Sequence, residues 1–163
     1  MAKAISAKKI QDNDLLEEMK KDCAALVQEA LRTDEYVDRT GNLASSVGAA
    51  IYYDGKLVDG TITSYDFGAS KPRYWYGAAK YGQSELRNYF NNYKPRKQGY
   101  AIVLVAAMPY SEVLESGKYL TRKYRVITGA YTLMRQLAEK YQGKRGYKTR
   151  KYGQGLRVSL NEI

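Results

Sequence analysis

Tyr100-Ala101-Ile102-Val103-Leu104-Val105-Ala106-Ala107 is the stretch on which the fold turns. Seven of its eight residues are alanine or branched aliphatics in an unbroken run, with no polar residue at alternate positions. A strand with one wet face alternates, whereas a strand buried on both faces does not. The stretch therefore predicts a central strand, and whatever flanks it must cover two faces.

Working outward, Pro109 suits the first turn of a helix, and residues 110–116 (Tyr-Ser-Glu-Val-Leu-Glu-Ser) predict a short one closed by Gly117. On the other side of the chain, Val47-Gly48-Ala49-Ala50-Ile51-Tyr52-Tyr53 predicts a strand and Asp54-Gly55 a two-residue hairpin turn. Residues 56–63 then read as the returning strand, with Gly60 a candidate bulge. Residues 43–46 read as one helical turn ahead of the first strand.

Two helices complete the pattern. Asp12 or Asn13 can cap a helix over 14–32, in which Leu15, Leu16, Met19, Cys23, Leu26, Val27, Ala30 and Leu31 recur in steps of three and four. A second helix is expected over 122–141, carrying Tyr124, Ile127, Tyr131, Met134, Leu137 and Ala138, and Gly143 stops it. Residues 1–11 read as a flexible arm, 65–98 as a long Tyr-rich excursion with a short helix near 85–91, and 143–155 as a basic Gly/Tyr-rich segment. The alternation Leu156-Arg157-Val158-Ser159-Leu160 predicts a last strand. The expected architecture is a single α+β domain over 1–163, a small, mainly antiparallel sheet with two long helices packed on it.

Composition removes whole classes of chemistry. The 163 residues contain no His and one Cys, so a Ser-His-Asp triad, a Cys-His pair, a His-ligated metal, an internal disulfide and a thiolate zinc cage are all excluded. No Walker loop, GxGxxG, GxSxG or HExxH occurs. Glu112 and Glu115 stand one turn apart and read as an exposed helical edge. No catalytic, cofactor-binding or metal-ligating residue is assigned, and the chain is not expected to be an enzyme. The longest apolar run, residues 101–108, falls short of the ~20 residues that span a bilayer. Cys23 lies on the apolar face of the first helix and reads as a core residue.

Charge is uneven. Residues 1–62 hold 8 basic and 11 acidic residues; residues 63–163 hold 19 basic and 6 acidic, together with 14 of the 17 Tyr. The positive field of the C-terminal part suits nucleic acid or an acidic protein surface. Lys140, Lys144, Arg145, Lys148, Arg150 and Lys151 interleave with Tyr141, Tyr147 and Tyr152. That pattern fits phosphate contacts with ring stacking, an arm that orders on a neighbouring subunit, or a solvated tail. Tyr74, Trp75 and Tyr76 form a second cluster, which fits core, ligand platform or protein interface.

Two segments together carry a family resemblance. Thr40-Gly41-Asn42-Leu43-Ala44-Ser45-Ser46 matches the pattern T-G-x-L-x-x-S through Thr40, Gly41, Leu43 and Ser46. Residues 109–117 resemble P-Y-A-x-Y-V-E-x-G through Pro109, Tyr110, Glu115 and Gly117, with Ser111 where Ala is usual. With the hairpin between them and the helices in order, this resembles the tail-completion, or head–tail joining, proteins of tailed bacteriophages. The resemblance covers under half of the chain; residues 65–98 and the basic segment depart from it.

The resemblance implies a structural virion protein of the phage neck, made in the bacterial host cytoplasm. It implies a homo-oligomeric ring, commonly a hexamer, set between portal-side connector proteins and tail proteins, close to packaged DNA, with no cofactor and no membrane. Contacts are expected from Tyr74, Trp75, Tyr76, Lys144, Arg145, Lys148, Arg150 and Lys151. The competing reading is a basic nucleic-acid-binding module.

Overall fold

The computed structural model describes residues 2–32, 42–64, 79–95, 100–108, 111–117, 120–122, 125–142, 147–152 and 155–160, with side chains at 2–13, 79, 80, 112, 115, 138, 142 and 147–160 outside that description. The elements in chain order are α1 (Ala2–Arg32), α2 (Asn42–Ser45), β1 (Val47–Tyr53), β2 (Lys56–Leu57), β3 (Thr63–Ser64), α3 (Ala79–Asn92), β4 (Tyr100–Ala106), α4 (Ser111–Ser116), a 3-10 turn (Thr128–Ala130), α5 (Tyr131–Gln142), β5 (Tyr147–Tyr152) and β6 (Gly155–Leu160).

All strand pairs are antiparallel, in the order β2-β1-β4-β6-β5, with β3 also on β1. β4 is central, and every residue from Ala101 to Ala106 is buried, as its unbroken apolarity predicts. β1 pairs with it over all seven residues, from Val47 opposite Ala106 to Tyr53 opposite Tyr100.

Register divides the core in two. Val47, Ala49 and Ile51 of β1, with Ile102, Leu104 and Ala106 of β4, pack against Met19, Cys23, Leu26, Val27 and Ala30 of α1 and Met134 and Leu137 of α5. Ala50 and Tyr52, with Ala101, Val103 and Val105, face the other way and meet Leu86 and Phe90 of α3. One helical layer thus covers each side of the β1–β4 pair.

The Asp54-Gly55 turn has φ of 47° and 81° at its two residues, the positive pair that a tight hairpin needs. The returning strand is broken into β2 and β3, and Gly60 sits in the break at φ 73°. There the Thr61 hydroxyl replaces a strand neighbour: it accepts from the Ile51 amide at 3.2 Å and donates to the Val58 carbonyl at 2.7 Å. Thr61 is 1% exposed, so water cannot substitute. Thr61→Val is expected to leave the Ile51 amide unpaired and to destabilise by ~1–3 kcal/mol, measured by urea denaturation.

Four expectations need correction. α1 begins at Ala2, not near residue 14; Ala, Lys and Gln over 2–11 are strong helix formers and carry the helix forward as one piece. The second long helix is instead a 3-10 turn followed by the 12 residues of α5. Buried Val126 and Ile127 precede that turn, so core packing sets its start. Residues 79–92 of the expected excursion form α3, longer than the turn or two expected near 85–91. Part of the basic segment is a strand, β5, hydrogen-bonded to β6.

Candidate partner-binding surface

The two segments that carry the family resemblance lie about sixty residues apart in the chain and adjoin in space. Leu43, 2% exposed, anchors α2 in the core. Ser46 follows it, fully buried, at the start of β1 and beside the end of β4. Its carbonyl accepts from the Ala107 amide at 3.1 Å. Its hydroxyl donates to the Leu43 carbonyl at 2.7 Å and accepts from the Met108 amide at 3.3 Å. Ser111, also fully buried, ties the same corner: its amide donates to the Met108 carbonyl at 3.0 Å, and its hydroxyl lies 2.7 Å from that carbonyl. Gly117 ends α4 at φ +69°, a conformation that glycine adopts without strain. Its amide donates to the Val113 carbonyl at 3.0 Å. Glu115 is part of α4. Thr40, Gly41, Pro109 and Tyr110 lie outside the described residues. These contacts are folding devices, holding two turns against the sheet.

Tyr74, Trp75 and Tyr76 also lie outside the described residues. The aromatic surface that the structure does describe is on α3, and the sequence reading missed it. Tyr89 and Tyr93 stack with centroids 5.3 Å apart, Tyr93 meets Tyr52 edge-on at 5.7 Å, and Phe90 fills the space beneath. The buried Tyr52 hydroxyl donates to the Phe90 carbonyl at 2.6 Å. At the far end of the β1–β4 pair, Tyr53 and Tyr100 stand opposite each other with centroids at 4.6 Å, and Tyr53 is exposed. Leu86, Tyr89, Phe90 and Tyr93, spaced by three and four, were the available signal, diluted by Arg87, Asn88, Asn91 and Asn92 between them.

The basic residues separate into groups. Lys140 and Tyr141 join α5 to α1: Lys140 Nζ lies 2.7 Å from Glu18 and 3.0 Å from Asp22, and the Tyr141 hydroxyl donates to Asp22. This is where acids of the N-terminal part meet a base of the C-terminal part. With Lys140 and Glu18 both largely exposed, that pair stabilises by less than ~1 kcal/mol. Lys148, Arg150 and Lys151 are on β5, the edge strand. Lys144 and Arg145 lie outside the described residues.

The proton affinities of Cys23, Tyr141 and Lys140 shift in one direction. Burial first, and Asp22 second, push the Cys23 thiol up to about 12. Burial and then the bond to Asp22 raise Tyr141. The bond to Glu18, offset in part by desolvation and helped by Asp22, raises Lys140. Each group binds its proton more tightly folded than unfolded, so its contribution is complete below its ordinary value and is lost as pH climbs toward the folded value. The urea midpoint is expected to fall between pH ~8 and ~11, and Cys23→Ala is expected to flatten part of that fall. An unchanged or rising midpoint would contradict the packing around Asp22. A thiol held protonated in the core is a poor nucleophile, consistent with a packing role for Cys23.

Among the described residues, no three of Cys, Asp or Glu are grouped so as to hold a metal ion, and no helix is long and apolar enough to cross a membrane. The fold and this surface define an α+β protein whose described features are packing devices, aromatic faces and a basic sheet edge. Comparison of the chain with protein-family models, curated proteins and solved structures finds no match.

Proposed function

We propose that this chain is a structural protein of the neck of a tailed bacteriophage, a tail-completion or head–tail connector component that closes into a ring, of about six copies, between head-side connector and tail. What supports the reading is the corner at Ser46. The two sequence elements on which the resemblance rests are brought together there by two hydrogen bonds, from the Ala107 and Met108 amides to the Ser46 carbonyl and hydroxyl, while Leu43 and Ser111 each tie in their own side of the corner. A chance match of two short patterns carries no requirement that they meet.

In this reading, copies join head-to-tail around the DNA channel, since a repeated heterologous contact closes a ring when its rotation permits. The packed part is the β1–β4 pair with helices on both faces. The residues proposed to fasten neighbouring copies and rings are Tyr74, Trp75, Tyr76 and the basic residues Lys144, Arg145, Lys148, Arg150 and Lys151. The chain performs no chemistry in this role; it is a spacer and a joint.

The test is localisation by mass spectrometry and immunogold labelling in purified particles, with negative-stain images of a deletion mutant. Label at the neck, and unjoined heads and tails in the mutant, are the expected results. Normal virions lacking the protein would overturn the proposal.

A further inference from the structure

We infer that the outer flank of α3, carried by Ser84, Arg87, Asn91 and Lys94, binds the phosphate backbone of duplex DNA. The inference goes beyond the neck reading and stands on residues which that reading does not use.

Helical spacing builds the flank. Residues 84, 87, 91 and 94 follow one another in steps of three and four, so they form one line along the helix. Lys80 precedes them on that line by the same spacing. Ser84, Arg87, Asn91 and Lys94 are all exposed, whereas Leu86 and Phe90 of the same helix are buried with Val103 and Val105 of the sheet. The Tyr93 amide donates to the Tyr89 carbonyl at 2.8 Å, which carries the last turn up to Lys94. From residue 80 to residue 94 the line runs roughly 20 Å at ~1.5 Å per residue. A DNA strand presents a phosphate every ~3.4 Å along its axis, so several fall within that length.

Among the described residues, neither Arg87 nor Lys94 makes an ion pair. Glu85, the single acid of α3, stands in line with Tyr81, Asn88 and Asn92 on another flank, and residues two apart on a helix do not face each other. α2, on which α3 is seated, has no charged residue. α1 shows what a merely solvated helix face looks like in this protein. Its exposed charges alternate in sign and pair, Lys20 with Glu17 at 2.9 Å and Arg32 with Glu29 at 2.6 Å. The negative end of the helix dipole explains a cation at Lys94, but Arg87 lies more than a turn before that end.

Asn91 points the same way. Asn is a weaker helix former than Ala, Lys or Glu. The Asn92 side chain donates to the Asn88 carbonyl at 2.8 Å and so serves the helix end, whereas Asn91 makes no hydrogen bond among the described residues. Composition then selects the partner. A protein interface has an apolar or aromatic centre with charge at its rim, whereas a phosphate-contacting face is polar and cationic throughout. This line holds two cations, a hydroxyl and an amide, with no apolar residue. The arginine fork matches phosphate oxygens, and the hydroxyl and amide donate neutral hydrogen bonds to them. Such contacts read no base sequence.

The experiment uses the full-length protein and a short fluorescent mixed-sequence DNA duplex, with anisotropy followed between about 50 and about 200 mM salt. Arg87→Gln/Lys94→Gln is expected to lose roughly 10-fold or more in affinity at low salt and to flatten the logarithmic salt slope by about 2, near 0.9 per phosphate contact. Lys21→Gln/Arg135→Gln removes the same charge from exposed positions on α1 and α5 and is expected to lose much less. Asn91→Ala is expected to lose roughly 3-fold with an unchanged slope, since a neutral contact releases no counterion, and to keep or raise the thermal midpoint. A shuffled duplex is expected to bind equally. Equal losses in the two glutamine variants would overturn the site. So would a fall in thermal midpoint that matches the loss of affinity, which would make the flank structural. Competition by poly-glutamate as effective as that by DNA at equal charge would overturn the choice of DNA and point to an acidic protein.

Discussion

Phe90→Ala is expected to destabilise the protein by ~3–5 kcal/mol and to lower its thermal midpoint by roughly 10 °C. Phe90 has no exposed surface and lies between α3 and the sheet, in the smaller of the two core clusters. Its ring contacts Tyr52 at 6.5 Å and Tyr89 at 5.7 Å between centroids. Truncation leaves a cavity lined by Leu86, Val103 and Val105, none of which can follow the missing ring without leaving β4 or α3. The cost combines lost burial with that cavity. Tyr81, on the same helix but 53% exposed, supplies the control: Tyr81→Ala is expected to change stability by less than ~0.5 kcal/mol. Thermal unfolding followed by circular dichroism measures both. If the two substitutions cost the same, α3 does not cover the sheet and the second layer is wrongly placed.

Gly82→Ala is expected to cost at least the upper end of the ~1–3 kcal/mol range for overpacking. A methyl group at Gly82 would fall inside van der Waals distance of the Asn42 carbonyl oxygen and the Ser45 hydroxyl, and 2.9 Å from the Asn42 carbonyl carbon. Two of these are backbone atoms of α2, so no rotamer change relieves the clash. The substitution must push α3 off α2, and with it the bond from the Gly82 amide to Asn42 Oδ1 at 3.3 Å. Gly48 repeats the device one layer in, where an added methyl would meet Leu86 and lie 2.8 Å from the Thr63 carbonyl. Gly60 separates space from conformation. Nothing lies within 4 Å of its added methyl, but its φ is +73°, so Gly60→Ala is expected to cost only ~1–2 kcal/mol. Urea denaturation of the Gly82 and Gly60 variants, compared side by side, checks the ordering; a Gly82→Ala cost at or below that of Gly60→Ala would contradict the α2–α3 seat.

Elements whose signal is local were readable from the residues. β1 and β4 carry enough β-branched and apolar residues to stand as strands whatever surrounds them. Asp54-Gly55 is suited to positive φ, and Gly117 ends α4 because the chain there needs the same freedom. The apolar stripe of α1 from Leu15 onward emerged because eight residues repeat at helical spacing. β6 emerged because it alternates.

What escaped had little local signal or a signal pointing elsewhere. α3 places its core-directed residues among polar ones, and its seat depends on two glycines, Gly82 of α3 against α2 and Gly48 of β1 beneath Leu86, lacking a side chain where the elements meet. β5 reads as part of a basic Gly/Tyr-rich segment with no strand signal, because Tyr, Lys, Thr and Arg show no apolar alternation; it becomes a strand through its six pairings with β6. Lys140 and Tyr141 belong by sequence to the same basic run, yet packing of α5 on α1 commits them to Glu18 and Asp22. The division has one cause. Periodicity, turn chemistry and burial preference are properties of neighbouring residues, and they determined the central strands, the Asp54-Gly55 turn, the close of α4 at Gly117 and the apolar stripe of the first helix, though not its start at Ala2. Which face of the sheet a further helix covers, which strand pairs with an edge, and which lysine is drawn into an ion pair with distant acids are properties of residues distant in the chain, and only the assembled tertiary structure decided them.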